Sequence, residues 1–235
     1  MSTPSMASTG GDHPVEETAH GLSDTKEREQ FDTGMIREPN LMRGRYDLIS
    51  PIALRHYALY LRKPANISIC VSWTHEECIA RYIQSAMQYM VRYLSGDRSD
   101  DWLCYTVDCC FRASEARDDE NKEMMNYRND YYAELSGHEG YMYCNIPTRA
   151  LRRLAVHYER GGIKYHDRNW EKGGPLNRYF NSAFRHLQDF LTGNCNEDHL
   201  SACVWNCFCI IHTEELIRQG LMPESLDTMP CYTRR

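Results

Sequence analysis

Between positions 164 and 173 the chain reads Lys-Tyr-His-Asp-Arg-Asn-Trp-Glu-Lys-Gly, which crowds cations, an amide and two aromatic rings into one short run. Lys164, Arg168 and Lys172, with Arg185 downstream, suit the oxygens of a phosphorylated ligand. Charge-assisted hydrogen bonds, bidentate from Arg, offset the charge of a triphosphate. Tyr165, Asn169 and Trp170 supply the rings and the amide edge that contact a nucleobase. A second set lies on two helices: His186 and Asp189, three apart, then His199 and Asn206, seven apart. Each pair shares a helix face, and two facing helices would bring all four groups to one cleft.

In such a cleft His186, His199 and Asn206 are the candidate catalytic groups, the histidines moving protons or orienting water. Asp189 and Asp198 are the candidate metal ligands, for Mg²⁺, or for Mn²⁺ or another divalent transition ion if histidine joins them. Several of these residues also have an ordinary role. Asp198 precedes a helix and suits its N-cap. His157, His166 and His212 read as surface or satisfied core, and Glu214 and Glu215 as solvated late-helix acids. The second copy lacks an ExxE carboxylate cluster of the kind that helical nucleotide pyrophosphohydrolases use.

The elements that must position these groups show in a self-comparison. A shift of 97 residues lays Ile49–Arg117 over Ile146–Glu214 without a gap, with 17 identities in 69 positions. Among them are Ala53-Leu54-Arg55 with Ala150-Leu151-Arg152, Trp73 with Trp170, Arg81-Tyr82 with Arg178-Tyr179, Gly96 with Gly193, and Cys110-Phe111 with Cys207-Phe208. A register held across three helices predicts tandem duplication of one helical unit. The fold class is therefore all-α, a helical bundle of two three-helix repeats with pseudo-two-fold symmetry.

Apolar stripes at helical spacing support this: Leu176, Tyr179, Phe180, Ala183, Leu187, Phe190 and Leu191, then Leu200, Cys203, Val204, Cys207, Ile210 and Ile211. Ser50-Pro51 marks a helix start. The expected organisation is a flexible acidic tail over 1–33, a first, degenerate repeat over 34–117, and a linker over 118–144. The second repeat, with the site, spans 145–227, and 228–235 is a C-terminal tail. Polar groups concentrate in the second copy: Lys164, Arg168 and Lys172 stand opposite Ile67, Val71 and His75, and His186 and His199 opposite Tyr89 and Trp102.

Composition bounds the function. Of the net charge of −6, residues 1–33 carry −5, so the body is near neutral and has no general attraction for a polynucleotide backbone. No stretch reaches the roughly 18–20 apolar residues of a membrane span, and Met1–Gly11 lacks the apolar core of a secretory signal, so a cytoplasmic protein is expected. The 11 cysteines are an odd number without zinc-site spacing and read as small buried hydrophobes.

Thr33-Gly34, Arg43-Gly44-Arg45-Tyr46-Asp47-Leu48-Ile49-Ser50-Pro51, Ala150 to Gly161, Lys164-Tyr165, and Asp167 to Gly173 resemble a known family. So do Arg178-Tyr179, Arg185-His186-Leu187, Glu197-Asp198-His199-Leu200, Val204-Trp205-Asn206 and His212-Thr213-Glu214-Glu215. The family is that of phage proteins described as dATP/dGTP diphosphohydrolase, N-terminal domain, and the likeness covers about 28–62 and 146–227. It implies hydrolysis of a purine deoxynucleoside triphosphate to monophosphate and pyrophosphate, in the host cytoplasm. Two features depart from the family pattern. Residues 64–145 intervene between the opening motif and the Lys-Tyr loop, and His166 replaces a small residue. The first departure leaves two assemblies open, an internal pseudo-dimer or a homo-oligomer. The rival readings are a non-catalytic nucleotide-binding module and a helical protein-interaction module.

Overall fold

The computed structural model describes residues 28–37, 43–62, 75–118, 141–230 and 232. Most of the expected tail and linker, and the first-copy residues 63–74 with Trp73, lie outside this set. Two compact units divide at Asn40. In the first, β1 (Glu29–Gln30) pairs antiparallel with β2 (Ile36–Arg37) around Gly34, whose φ of 84° closes the turn. Residues 29–33, expected in the flexible tail, thus belong to a hairpin, too short for a sequence period to reveal.

The described residues of the second unit form six helices: α1 (Pro51–Tyr60), α2 (His75–Leu94), α3 (Trp102–Asp118), α4 (Thr148–Tyr165), α5 (Leu176–Leu191) and α6 (His199–Arg218). Among the described residues the only strands are those of the short hairpin, and the protein is all-α. Local chemistry sets the ends. Ser50 Oγ accepts from Ala53 N at 3.1 Å and Pro51 fills the first turn of α1, where its missing N–H costs nothing. Asp198 caps α6 through Ser201 N. Pro147 gives α4 no cap, but Glu115 of α3 reaches across and accepts from Arg149 N at 3.0 Å and Ala150 N at 3.1 Å. Gly96 and Gly193 take positive φ just past α2 and α5.

α6 is buried on nearly every side from His199 to Thr213, so it is the central helix of the bundle rather than an amphipathic one with a single apolar stripe. All six residues of its expected stripe are buried. The α5 stripe is buried at Leu176, Phe180, Ala183 and Leu187, but Leu191 is exposed where the helix runs out into solvent. Neighbouring pairs α2–α3 and α5–α6 pack along their lengths, and α3 packs on α6.

The first helices reach across the halves: α1 lies mainly on α6, and α4 packs on both α6 and α3, while the 3₁₀ turn Tyr46–Leu48 sits on α4 and the turn Tyr143–Asn145 on α1. Two backbone bonds tie these turns down: Arg45 N donates to Ala155 O and Met142 N to Ala58 O, each at 3.1 Å. Adding 97 to 45 and subtracting it from 155 turns one bond into the other. The starts of α1 and α4, and of α3 and α6, are also 97 residues apart.

Six cysteines in the helical core, Cys104, Cys109, Cys110, Cys203, Cys207 and Cys209, are buried free thiols, and Cys144 and Cys195 are exposed ones. No helix among the described residues is long and apolar enough to cross a membrane.

Candidate functional site

α4 ends at Tyr165, and the chain then turns through two non-glycine residues of positive φ, His166 at 72° and Arg168 at 58°, into the 3₁₀ turn Asn169–Lys172. Such residues cost on the order of 1 kcal/mol each and persist only where neighbours hold them. The hold comes from residues 45–47. Arg45 bridges the carboxylates of Asp47 and Asp167 at 2.7 and 2.8 Å, and Arg168 donates to Asp47 O at 2.7 Å and to Glu171 Oε1 at 2.6 Å. Gly162 makes room for this clasp, since a Cβ there would stand 2.7 Å from Asp167 Oδ1. At Gly173, φ is 74° and a Cβ would meet Met222 Sδ at 2.8 Å.

The clasped loop, the end of α4 and the facing sides of α5 and α6 enclose a cavity of about 620 Å³, within the usual range for a small-molecule site. Arg160, Lys164, Arg168 and Arg185 line it, against one carboxylate, Glu197. Tyr165 is exposed beside it, with the Lys164 ammonium 4.8 Å from its ring centre. Tyr179 and Trp205 form part of the apolar wall, and burial pushes the Tyr179 hydroxyl up to about 12.

His157 and His186 also face the cavity, and burial is the main cause lowering both below the ordinary histidine value. Each is therefore neutral at pH 7. His186 Nδ1 lies 3.2 Å from His199 Nδ1, and Glu197 Oε1 is 3.5 Å from the first and 3.8 Å from the second. Among the described residues these three are the one group of histidine, cysteine and acid side chains close enough to share a metal ion.

Of the residues singled out in the sequence, Lys164, Tyr165, Arg168, Asn169, Trp170, Arg185, His186 and Asn206 line this single cavity. His199 adjoins it through His186. Trp170 is packed edge-on against Tyr158 and His212 and is 9% exposed, so it is a wall rather than an open stacking surface. Asn206 donates its amide to Ala202 O on its own helix at 2.8 Å, and Lys172 donates to Asn169 Oδ1 at 3.0 Å.

The two aspartates expected to hold a metal are not in the convergent group. Asp198 caps α6, accepts from Ser201 Oγ and pairs with Arg153 Nε at 2.6 Å. Burial would raise its carboxyl, but Arg153 and Ser201 hold it below the ordinary carboxylate value. Asp189, one turn beyond His186, does not line the cavity. Glu214 and Glu215 are not solvated as expected. Glu214 accepts from the Tyr93 hydroxyl at 2.5 Å and is raised mainly by burial; Glu215 is held down to about 2 chiefly by Arg218. His212 bonds Ser50 Oγ at 2.9 Å and fits the satisfied-core reading.

Sequence reasoning passed over His157, Arg160 and Glu197. His157 and Arg160, with Arg149, Arg152, Arg153 and Asp198, also line an adjoining cavity of about 490 Å³. The spacing 149, 153, 157, 160 on one helix face carried that signal. For Glu197 the signal was masked by its position near a helix start, where an acid needs no further explanation.

Residues 133–220 match the family model described as dATP/dGTP diphosphohydrolase, N-terminal. No curated protein and no solved structure matches the chain. The matched span contains α4 to α6 and every cavity residue named above, while the Arg45–Asp47 clasp lies outside it. Over residues 133–220, 88 of the 235 in the chain, the similarity is thus to the dATP/dGTP diphosphohydrolase N-terminal family, the one that the motifs resemble.

Proposed function

We propose that the cavity of the second half binds a purine deoxynucleoside triphosphate and hydrolyses it to the monophosphate and pyrophosphate. The observation that carries this is the lining itself: Arg160, Lys164, Arg168 and Arg185 line one cavity that also has the exposed ring of Tyr165 in its wall. Cations so grouped neutralise a triphosphate and stabilise the charge that moves onto the leaving group. His186 orients the attacking water, whose oxygen bonds the α-phosphorus as the bond to the bridging oxygen breaks, and His157, neutral at pH 7 on the same wall, accepts its proton. Tyr165 stacks on the base and Asn169 reads its edge.

Mg²⁺ held by Asp189 and Asp198 does not fit this arrangement, since the Asp198 carboxylate is engaged by Arg153 and Ser201 and Asp189 stands off the cavity. No step here depends on it. The first half serves as scaffold, derived from the same ancestral unit; the reciprocal Arg45–Ala155 and Met142–Ala58 bonds support that descent.

A second reading, a nucleotide-binding module without catalysis, is favoured by Glu197 being the one carboxylate in the described lining. Incubation of the full-length protein with each of the four dNTPs plus Mn²⁺ or Mg²⁺, followed by chromatography, separates the two. Monophosphate from dATP or dGTP that disappears in His186→Ala supports the enzyme. Intact nucleotide with a ligand-dependent rise in melting temperature supports the binding module.

A further inference from the structure

We propose that His186, Glu197 and His199 form a site for one divalent first-row transition-metal ion, bound by the two Nδ1 atoms and Glu197 Oε1. The three atoms are separated by 3.2, 3.5 and 3.8 Å, and the point equidistant from them lies about 2.0 Å from each, against about 2.0–2.1 Å for zinc–imidazole bonds. Three separate segments deliver them: the middle of α5, the loop after it, and the first residue of α6.

His199 is 3% exposed and its Nε2 has no hydrogen-bond partner among the described residues, so its polar contacts run through the Nδ1 that faces this point. Two imidazole nitrogens and one carboxylate suit Zn²⁺, Mn²⁺, Fe²⁺ or Co²⁺, whereas Mg²⁺ takes oxygen ligands. Three protein ligands leave a coordination position for water or a phosphate oxygen, and His186 and Glu197 both belong to the cavity wall. The equivalent positions of the first half, 97 residues earlier, hold Tyr89, Asp100 and Trp102 instead.

The site stands apart from the nucleotide reading and is tested with metal alone. Full-length protein stripped by chelator is titrated calorimetrically with Zn²⁺, Co²⁺, Mn²⁺ and Mg²⁺ in separate runs, with the visible absorption of Co²⁺ recorded. Glu197 is exposed, so Glu197→Gln keeps the fold and is the cleaner variant beside His199→Ala. The expected result is one Zn²⁺ or Co²⁺ per chain, at least tenfold tighter than Mg²⁺. Binding weakens about tenfold or more in Glu197→Gln and is lost in His199→Ala. No saturable transition-metal binding by the wild type overturns the site; so does unchanged binding in both variants, which would locate the metal on exposed thiols such as Cys195. With no nucleotide present, either outcome leaves the hydrolase reading to its own experiment.

Discussion

Where α5 meets α6, two histidines face each other; where α2 meets α3, the equivalent positions hold a stacked Tyr89 and Trp102. The ring centres are 5.5 Å apart in the first case and 5.8 Å in the second, so one backbone arrangement carries two different contents. Around the aromatic pair every exchange closes the first half upon itself. Arg92, at the position of Asp189, lies 4.7 Å from the Trp102 ring centre. Asp100, at the position of Glu197, accepts from the Tyr105 hydroxyl at 3.2 Å. Asp108, at the position of Trp205, holds Tyr57 at 2.9 Å and Arg112 at 2.7 Å. In the second half His186, Glu197 and Trp205, at three of the same positions, face a cavity instead, with His199 behind His186. The difference teaches that packing needs only the shared apolar residues, so that polar groups facing a cavity in one half alone call for an explanation other than packing.

The largest effect is expected where the two halves clasp each other. Gly44 has a φ of 93° and a Cβ there would stand 2.8 Å from Ala155 Cβ, while Tyr141 occupies the counterpart position without that constraint. Gly44→Ala is expected to cost about 3 kcal/mol in urea unfolding, from backbone strain plus the displacement of α4. An unchanged midpoint would deny that the clasp is rigid.

Next comes a contrast between the paired positions. Trp102→Ala removes the stack on Tyr89 and is expected to destabilise by about 2–3 kcal/mol while leaving nucleotide and metal binding intact. His199→Ala is expected to do the opposite, losing metal with a smaller change in stability. Equal effects on both readouts would erase the distinction between scaffold and site.

A smaller effect is expected from the phosphate-facing cations. Arg185 lines the cavity and donates to Ser182 Oγ on its own helix at 3.1 Å, so Arg185→Ala should weaken nucleotide binding roughly tenfold with little change in melting temperature. Arg81→Ala supplies a first-half control for nucleotide affinity.

The mildest test is pH. His157, His186 and His212 are all lowered by burial, so the unfolded chain binds more protons than the folded one once pH falls below about 6.5. Stability should decline between pH 7 and 5.5; a flat melting curve over that range contradicts burial of neutral histidine. Glu214, raised by burial, acts in the opposite sense and nearer the carboxylate range.

Much of the arrangement was legible in the sequence because it rests on local rules. Ser50-Pro51 announced the start of α1, and Leu200, Cys203, Val204, Cys207, Ile210 and Ile211 spelled out a buried face of α6. The cavity lining was legible because the sequence aligns with itself at a shift of 97 residues, where Lys164, Arg168 and His186 stood out against Ile67, Val71 and Tyr89, and Arg185 against Gln88. What stayed hidden depends on contacts distant in sequence. Nothing near Glu115 says that it caps α4, or near Arg45 that it clasps Asp167, and nothing near Asp198 says that Arg153 occupies it. Glu197 was overlooked in favour of its neighbour, since the direction of a loop carboxylate is set by the packing of α5 on α6.

The most direct test of the contrast between the halves is hydrogen–deuterium exchange of the full chain with and without a saturating purine deoxynucleoside triphosphate. The account predicts slowed exchange in 157–170 and 182–206 and none of comparable size in 86–106. Protection centred on the first half, or equal protection of both, would contradict it.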